Sequence, residues 1–79
     1  MKLNGIRDLL LFLNFLKDRS ISYRIEHMRA DSVMVTLTLV GIRIEVDFFD
    51  NHVEYSTFTG DERALDDQTR LFKLLNKDV

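Results

Sequence analysis

Cysteine, proline and tryptophan are absent from this chain of 79 residues, and only three glycines are present, far apart at positions 5, 41 and 60. Without cysteine the chain can form neither a disulfide nor a thiolate metal site. Two histidines cannot hold a structural zinc ion without help from carboxylates. Isolated glycines do not form the glycine-rich loop that cradles phosphate. With no proline, linker or repeat, the sequence predicts one cooperative domain over residues 1–79.

Long apolar runs are also missing, whereas a membrane-spanning helix needs about 20 apolar residues. The apolar stretch from Leu9 to Leu13 follows an early lysine, but charged residues punctuate the segment and no small-residue cleavage site follows it. We therefore expect a protein with no membrane segment and no secretion signal, located in the cytoplasm.

The charge of the chain is small and unevenly spread. The net charge is −2; residues 1–43 hold seven Lys/Arg and four Asp/Glu (+3), and residues 44–79 hold four and nine (−5). Basic residues are not interleaved with aromatic ones, as nucleic-acid-binding surfaces require. This distribution disfavours a nucleic-acid partner and favours either plain solubility or a basic protein partner.

Helical periodicity opens the chain. Asn4 is a candidate N-cap, and apolar residues at helical spacing predict a helix from about Ile6 to Asp18. Its expected core stripe is Ile6, Leu9, Leu10, Leu13 and Leu16. Leu11 and Phe15 lie on a different side, with Phe12 between the two faces. This spare apolar face must meet a second helix, a second subunit or a target, so Leu11 and Phe15 are the candidate dimer face.

Alternation with a period of two predicts four strands after this helix. They cover residues 21–28, 33–40, 42–49 and 53–58, with a first turn at Ala30-Asp31-Ser32. Short turns leave no room for crossovers, so the strands form an antiparallel meander. A second helix is expected after Gly60, capped by Thr59 or Asp61, with Leu65, Phe72 and Leu75 in its apolar stripe. The predicted fold class is an α+β two-layer sandwich, ordered α-β-β-β-β-α, with both helices on one face of the sheet.

The turns also predict which residues lie opposite each other. A two-residue turn at Asp50-Asn51 sets Phe48 opposite Val53, Val46 opposite Tyr55, and Asp47 opposite Glu54. A turn at Val40-Gly41 sets Thr38 opposite Arg43, Thr36 opposite Glu45, and Met34 opposite Asp47. Both registers keep the apolar residues on one side of the sheet.

Carboxylates gather on the other side of the predicted sheet. Glu45 lies diagonally beside the opposed pair Asp47 and Glu54, and like charges directly opposite each other destabilise a sheet. Arg24 and Arg43 can neutralise part of this charge. Three interpretations remain open: a solvated face, a docking site for a basic partner, and a metal site or catalytic acid pair.

The third interpretation has the least support from the sequence. Acid catalysis needs a pocket that raises one pKa, and a hard cation needs oxygen ligands from several directions; a flat sheet offers neither. His27 lies on the buried parity and is interpreted as a structural residue. We predict no catalytic residues, no metal and no cofactor. The apolar residues Met28, Met34, Phe49 and Phe58 share the outward parity with the acids, which is typical either of local packing and cover of the sheet edge or of an interaction surface.

One stretch resembles a known pattern. Residues 41–62 read GIRIEVDFFDNHVEYSTFTGDE, and their Gly, Glu-Val, Phe, Val-Glu, Phe and Gly positions match small bacterial α+β proteins encoded near polymorphic toxin systems. The matching residues are Gly41, Glu45, Val46, Phe49, Val53, Glu54, Phe58 and Gly60. The resemblance implies an immunity factor that binds and blocks one toxin, and it carries no catalytic residues. Asp50-Asn51-His52 replaces the Asp-Gly turn that is usual in that pattern.

The leading functional hypothesis is therefore a non-enzymatic protein-binding module, of the immunity type, that docks a basic partner such as a toxin. Its predicted contact residues are Arg43, Glu45, Asp47, Glu54 and Phe58. The alternatives are a structural homodimer that associates through Leu11 and Phe15, and a small ligand-binding domain with a pocket lined by His27 and Tyr23.

Overall fold

One helix and one four-stranded antiparallel sheet make up the described part of the chain. The computed structural model describes residues 2–39 and 42–58, with side chains up to Ser56. A single 3₁₀ turn, Ile6–Asp8, leads into helix α1, Leu9–Asp18; the strands are β1 Tyr23–Arg29, β2 Ser32–Leu39, β3 Ile42–Phe48 and β4 Val53–Phe58. The strands lie in the order β1-β2-β3-β4. The α+β class and the antiparallel meander are as predicted, whereas the predicted second helix and the Val40-Gly41 turn lie outside the described residues.

The predicted registers of the last three strands are confirmed. Met34 lies opposite Asp47, Thr36 opposite Glu45, and Thr38 opposite Arg43. In the next pair of strands, Phe48 lies opposite Val53, Val46 opposite Tyr55, and Asp47 opposite Glu54. A two-residue turn fixes the second register, because the backbone N–H of Phe49 donates to the carbonyl of His52 at 2.9 Å.

The hairpin of β1 and β2 differs from the expectation. Ser32 is not a turn residue but the first residue of β2, where it lies opposite Arg29. The pairing of Glu26 with Met34 and of Arg29 with Ser32 leaves two β1 residues, His27 and Met28, opposite Val33 alone. This is a β-bulge. With a two-residue turn at Ala30-Asp31 and no bulge, the apolar residues of β1 and β2 would face opposite sides of the sheet. The extra residue of β1 keeps both sets on the inward side.

The start of the helix also differs from the expectation, because Asn4 is not an N-cap. The backbone N–H of Asn4 instead donates to Oδ2 of Asp8 at 2.7 Å. The next residue, Gly5, is extended and lies against the β3–β4 hairpin, so a Cβ there would overlap the carbonyl oxygen of Asp50. The N–H of Ile6 donates to the carbonyl of Phe49 at 2.7 Å. The helix entry is therefore fixed by contact with the hairpin rather than by a capping side chain.

The end of the helix is a Schellman motif. The N–H of Ile21 donates to the carbonyl of Leu16 at 2.9 Å, and the N–H of Ser20 donates to that of Lys17 at 3.1 Å. Ser20 takes the left-handed conformation with φ of 56°. Ile21 and Leu16 are both buried, which supplies the hydrophobic contact that accompanies this motif and turns the chain toward β1.

The core lies between α1 and the inward face of the sheet. Phe12 and Leu16 are the fully buried residues of α1, and the ring of Phe12 lies 5.6 Å from that of Phe48. The predicted stripe is therefore wrong at Leu10, which is 68% exposed, while Phe12 takes the central place. The buried apolar side chains are Leu3, Phe12, Leu16, Ile21, Val35, Leu37, Leu39, Ile44, Val46, Phe48, Phe49 and Tyr55.

Candidate partner-binding face

The sheet face turned away from α1 carries three rows of side chains that run across the strands. Directly opposed residues of an antiparallel sheet project on the same side, so the registers define the rows. The acidic row is Glu26, Met34, Asp47 and Glu54. The mixed row is Arg24, Thr36, Glu45 and Ser56. The basic row is Thr38 and Arg43, with Phe58 opposite Arg43 in β4.

Two of the four carboxylates on this face lie beside an arginine of their own strand, and a third lies beside the histidine that precedes β4. Nη2 of Arg24 lies 3.3 Å from Oε1 of Glu26. Nη2 of Arg43 lies 3.9 Å from Oε2 of Glu45, and Nε2 of His52 lies 3.1 Å from Oε2 of Glu54. Each pair joins residues i and i+2 of one chain segment. Because these pairs are solvent-accessible, each contributes little to stability, and each side chain can exchange its partner at small cost.

Asp47 is the exception on this face. Within residues 2–39 and 42–56, no cationic side chain lies within 4 Å of its carboxylate, and the side chain is half-buried. Partial burial raises the pKa of Asp47 above its ordinary value, and the negative charges of Glu45 and Glu54 raise it further. Arg29 opposes this effect only from a distance. The carboxylate thus has an incompletely compensated charge at the centre of the acidic row.

A surface cleft of about 240 Å³ lies beside this carboxylate. Its walls combine carboxylates with methionine side chains, and Met28 is 79% exposed. Thioether chains adapt their shape to a bound group, so the cleft offers apolar contact for the stem and negative charge for the head of a Lys or Arg side chain. The lining residues are Glu26, Met28, Arg29, Ser32, Met34 and Asp47.

The structure brings most of the predicted contact residues together. Glu45, Asp47 and Glu54 lie on one face, and Arg43 lies on the same face one row beyond Glu45. Phe58 pairs with Arg43 through the backbone, and the position of its side chain is not described. Sequence reasoning missed Glu26, which completes the acidic row from β1. The signal was the alternation of β1, which requires Ile25 to share the inward side with Val35 and thereby turns Glu26 outward.

Two further expectations about aromatic and histidine residues are corrected. Phe49, expected on the outward face, is buried, and its ring stacks on that of His52 at 4.4 Å. His27, expected on the buried parity, is exposed, because the bulge places it at the margin of the sheet. In the part of the chain that the structure describes, His27 and Tyr23 line two different surface clefts, of about 310 Å³ and 290 Å³ respectively.

Metal ligands do not converge in the described part of the chain. Among residues 2–39 and 42–58, no group of three His, Asp or Glu side chains is placed to hold a metal ion. The carboxylates of the acidic row project side by side from a sheet, whereas a hard cation needs oxygen atoms around it.

The outer side of α1 is the second candidate surface. Leu11 is 51% exposed, beside the exposed Leu10. Phe15, predicted to share this face, is half-buried instead: its ring lies 6.4 Å from that of Phe12, and the guanidinium of Arg19 lies 3.8 Å from its centroid. The exposed apolar surface of the helix is therefore formed by Leu10 and Leu11, with Phe15 at its border.

No helix in the described ranges has both the length and the apolar character needed to cross a membrane.

No protein family matches this sequence, and no curated protein or solved structure was found to be similar to it.

Proposed function

We propose that this protein is a non-enzymatic protein-binding module that docks a basic partner on its acidic row. The observation that carries the proposal is the position of Asp47, half-buried directly opposite Glu54 and without a cation within 4 Å in the described part of the chain. Like charges opposed across a sheet cost about 0.2–1 kcal/mol. A Lys or Arg of a partner relieves this repulsion on binding, so the strain in the free protein favours the complex.

The acidic row also indicates the charge of the partner's contact surface. A positively charged patch that meets the acidic row gains in association rate through electrostatic steering, and the gain falls as salt screens the charges. The resemblance of residues 41–62 to immunity-like bacterial proteins suggests a toxin as this partner, blocked in the cytoplasm of the producing cell. A basic nuclease would suit such a surface, since the acidic row mimics the charge of its substrate.

The experiment compares two charge variants of equal net charge. Asp47→Lys with Glu54→Lys reverses the acidic row, and Asp18→Lys with Asp50→Lys reverses two exposed acids elsewhere. Each protein is immobilised and used to capture partners from lysate of the native host, and the association rate with the captured protein is then measured against salt concentration. We expect the first variant to associate at least about tenfold more slowly at low salt, with a flatter salt dependence, and the second to behave like the wild type.

Equal association rates for the two variants would remove this face as the docking site. The immunity form of the proposal has its own test, which is co-expression with a toxin gene found next to this one. Relief of toxicity by the wild-type protein but not by the Asp47→Lys, Glu54→Lys variant is the expected result.

A second candidate function is structural association of two copies through α1. The observation that favours it is the pair of exposed leucines, Leu10 and Leu11, on a helix whose other side is already packed. Burying a leucine side chain contributes about 1.5–3 kcal/mol. The two functions use opposite faces of the molecule and are compatible with each other.

A further inference from the structure

The exposed side of α1 ends in the acidic residue Asp18, and the 3₁₀ turn that precedes the helix carries the basic residue Arg7. Leu11, Asn14 and Asp18 are spaced by three and four residues and form one stripe along α1, and Arg7 lies four residues before Leu11 in the 3₁₀ turn that leads into the helix. Arg7, Asn14 and Asp18 are exposed, as is Leu11. Leu10 borders the stripe. Arg7 and Asp18 are equally far in sequence from the midpoint between Leu11 and Asn14.

The charges of this segment are complementary to those of a second, antiparallel copy. When two such helices cross antiparallel about a two-fold axis through that midpoint, each Arg7 lies opposite Asp18 of the other copy, and each Leu11 lies opposite Asn14. A parallel pair would instead place Arg7 next to Arg7 and Asp18 next to Asp18. It would also align the two helix dipoles, whereas the antiparallel pair opposes them.

We propose that the occupant of this face is a second copy of the chain, held in the antiparallel register that pairs Arg7 with Asp18. The proposal rests on the second candidate function above and names its partner and geometry. Leu10 and Leu11 supply the apolar contact, Asn14 is the single polar residue at the centre that favours one register, and the two symmetric ion pairs select the orientation.

The expected dimer is weak. A contact between two short helices buries less than the roughly 1,200–2,000 Å² of a standard stable interface. Association is therefore expected in the micromolar to millimolar range, where sedimentation velocity can follow it across a concentration series. Low ionic strength is the appropriate condition, because the ion pairs are exposed and are screened by salt.

Charge exchange across the two-fold axis gives the test. Arg7→Glu and Asp18→Arg each replace two attractive pairs by two repulsive ones, so each variant alone should dimerise about tenfold more weakly. An equimolar mixture of the two variants restores both attractive pairs, as does the double variant Arg7→Glu, Asp18→Arg. Both should return to the wild-type dissociation constant. Arg24→Glu, on the opposite face of the molecule, is the matched control and should leave dimerisation unchanged.

The outcomes separate the register from the dimer itself. A wild-type protein that remains monomeric up to millimolar concentration would overturn both the second candidate function and this proposal. Dimerisation that responds to Leu11→Asp but not to the charge variants or their mixture would overturn the register alone. Because Leu11 and the charged residues are exposed, circular dichroism of each variant should match that of the wild type, which excludes unfolding as the cause of a lost dimer.

Discussion

The position of the Asp47 carboxyl group in the sheet disfavours its charged form. The backbone register fixes it directly opposite Glu54, and partial burial with two neighbouring carboxylates raises its pKa. A group whose pKa is higher in the folded state than in the unfolded state stabilises the fold in its protonated form. Its contribution is complete below its unfolded pKa, near 3.8, and is lost as the pH rises through the folded-state pKa.

The change Asp47→Asn, which mimics the protonated form, should therefore stabilise the protein at neutral pH. We expect the free energy of unfolding at pH 7 to rise by about 0.2–1 kcal/mol, with a smaller gain at pH 3, as measured by urea denaturation at both pH values. Asp50→Asn, at an exposed turn position, is the control. An Asp47→Asn protein less stable than the wild type at pH 7 would show that the carboxylate is compensated after all.

At the scale of single residues, the sequence predicted part of the acidic row. Two tight turns and strict alternation sufficed to place Asp47 opposite Glu54 and Met34 opposite Asp47. Alternation alone turns Glu26 outward, but it did not place Glu26 in the acidic row, because its pairing with Met34 depends on the bulge between Glu26 and Arg29. Burial was harder to predict: Phe49 lies just beyond a strand, where alternation no longer determines which way a side chain points.

Among the elements, α1 carries a strained residue at its end. Ser20 adopts the left-handed conformation of the C′ position, where glycine is favoured because it has no Cβ. The motif is otherwise complete, with both characteristic hydrogen bonds and a buried contact between Ile21 and Leu16.

Replacing this serine should relieve the strain. We expect Ser20→Gly to raise the free energy of unfolding by about 0.5–1 kcal/mol, measured by chemical denaturation. Ser22→Gly is the matched control, since Ser20 is the one non-glycine residue of the described ranges with positive φ. The control should lower stability slightly through the greater freedom of the unfolded chain. Equal effects of the two changes would show that the backbone at Ser20 is not strained.

The same helix shows why its buried face was hard to derive. Residues 9–13 are all apolar, so helical periodicity admits more than one core stripe. The choice between Leu10 and Phe12 is made by the contact of Gly5 and Ile6 with the β3–β4 hairpin, which sets the rotation of the helix. That contact joins residues more than 40 positions apart in sequence, and no local pattern encodes it.

For the molecule as a whole, the described part has one continuous core. Phe12 joins the helix to the sheet, and a chain without cysteine has no disulfide to support the fold. A domain of this size has only about 3–5 kcal/mol of net stability, and removing a buried phenylalanine ring costs about 3–5 kcal/mol.

We therefore expect Phe12→Ala to be largely unfolded at 25 °C, with helix and sheet lost together. Far-UV circular dichroism and tyrosine fluorescence should report the same transition in denaturant for the wild type. Leu10→Ala, an exposed change on the same helix, should shift stability by less than about 0.5 kcal/mol. A folded sheet without the helix in Phe12→Ala would contradict a single cooperative core.

The architecture of this part of the chain was predictable in outline, because four alternating segments joined by short turns allow few topologies. The face of the sheet on which the helix packs follows from which strand residues are apolar. The predicted second helix lies in residues 59–79, outside the described ranges, so its place in the sandwich stays a prediction.

The three rows on the sheet face turned away from α1 also differ in charge from one end of the strands to the other. Charge changes along the strands, from the acidic row beside the β1–β2 and β3–β4 turns to Arg43 at the opposite end. A ligand protein that touches all three rows meets a graded field rather than a uniform one. Such a protein docks favourably in one orientation along the strands but not in the reverse one. The order Asp47, Glu45, Arg43 along β3 therefore determines the orientation of the bound partner.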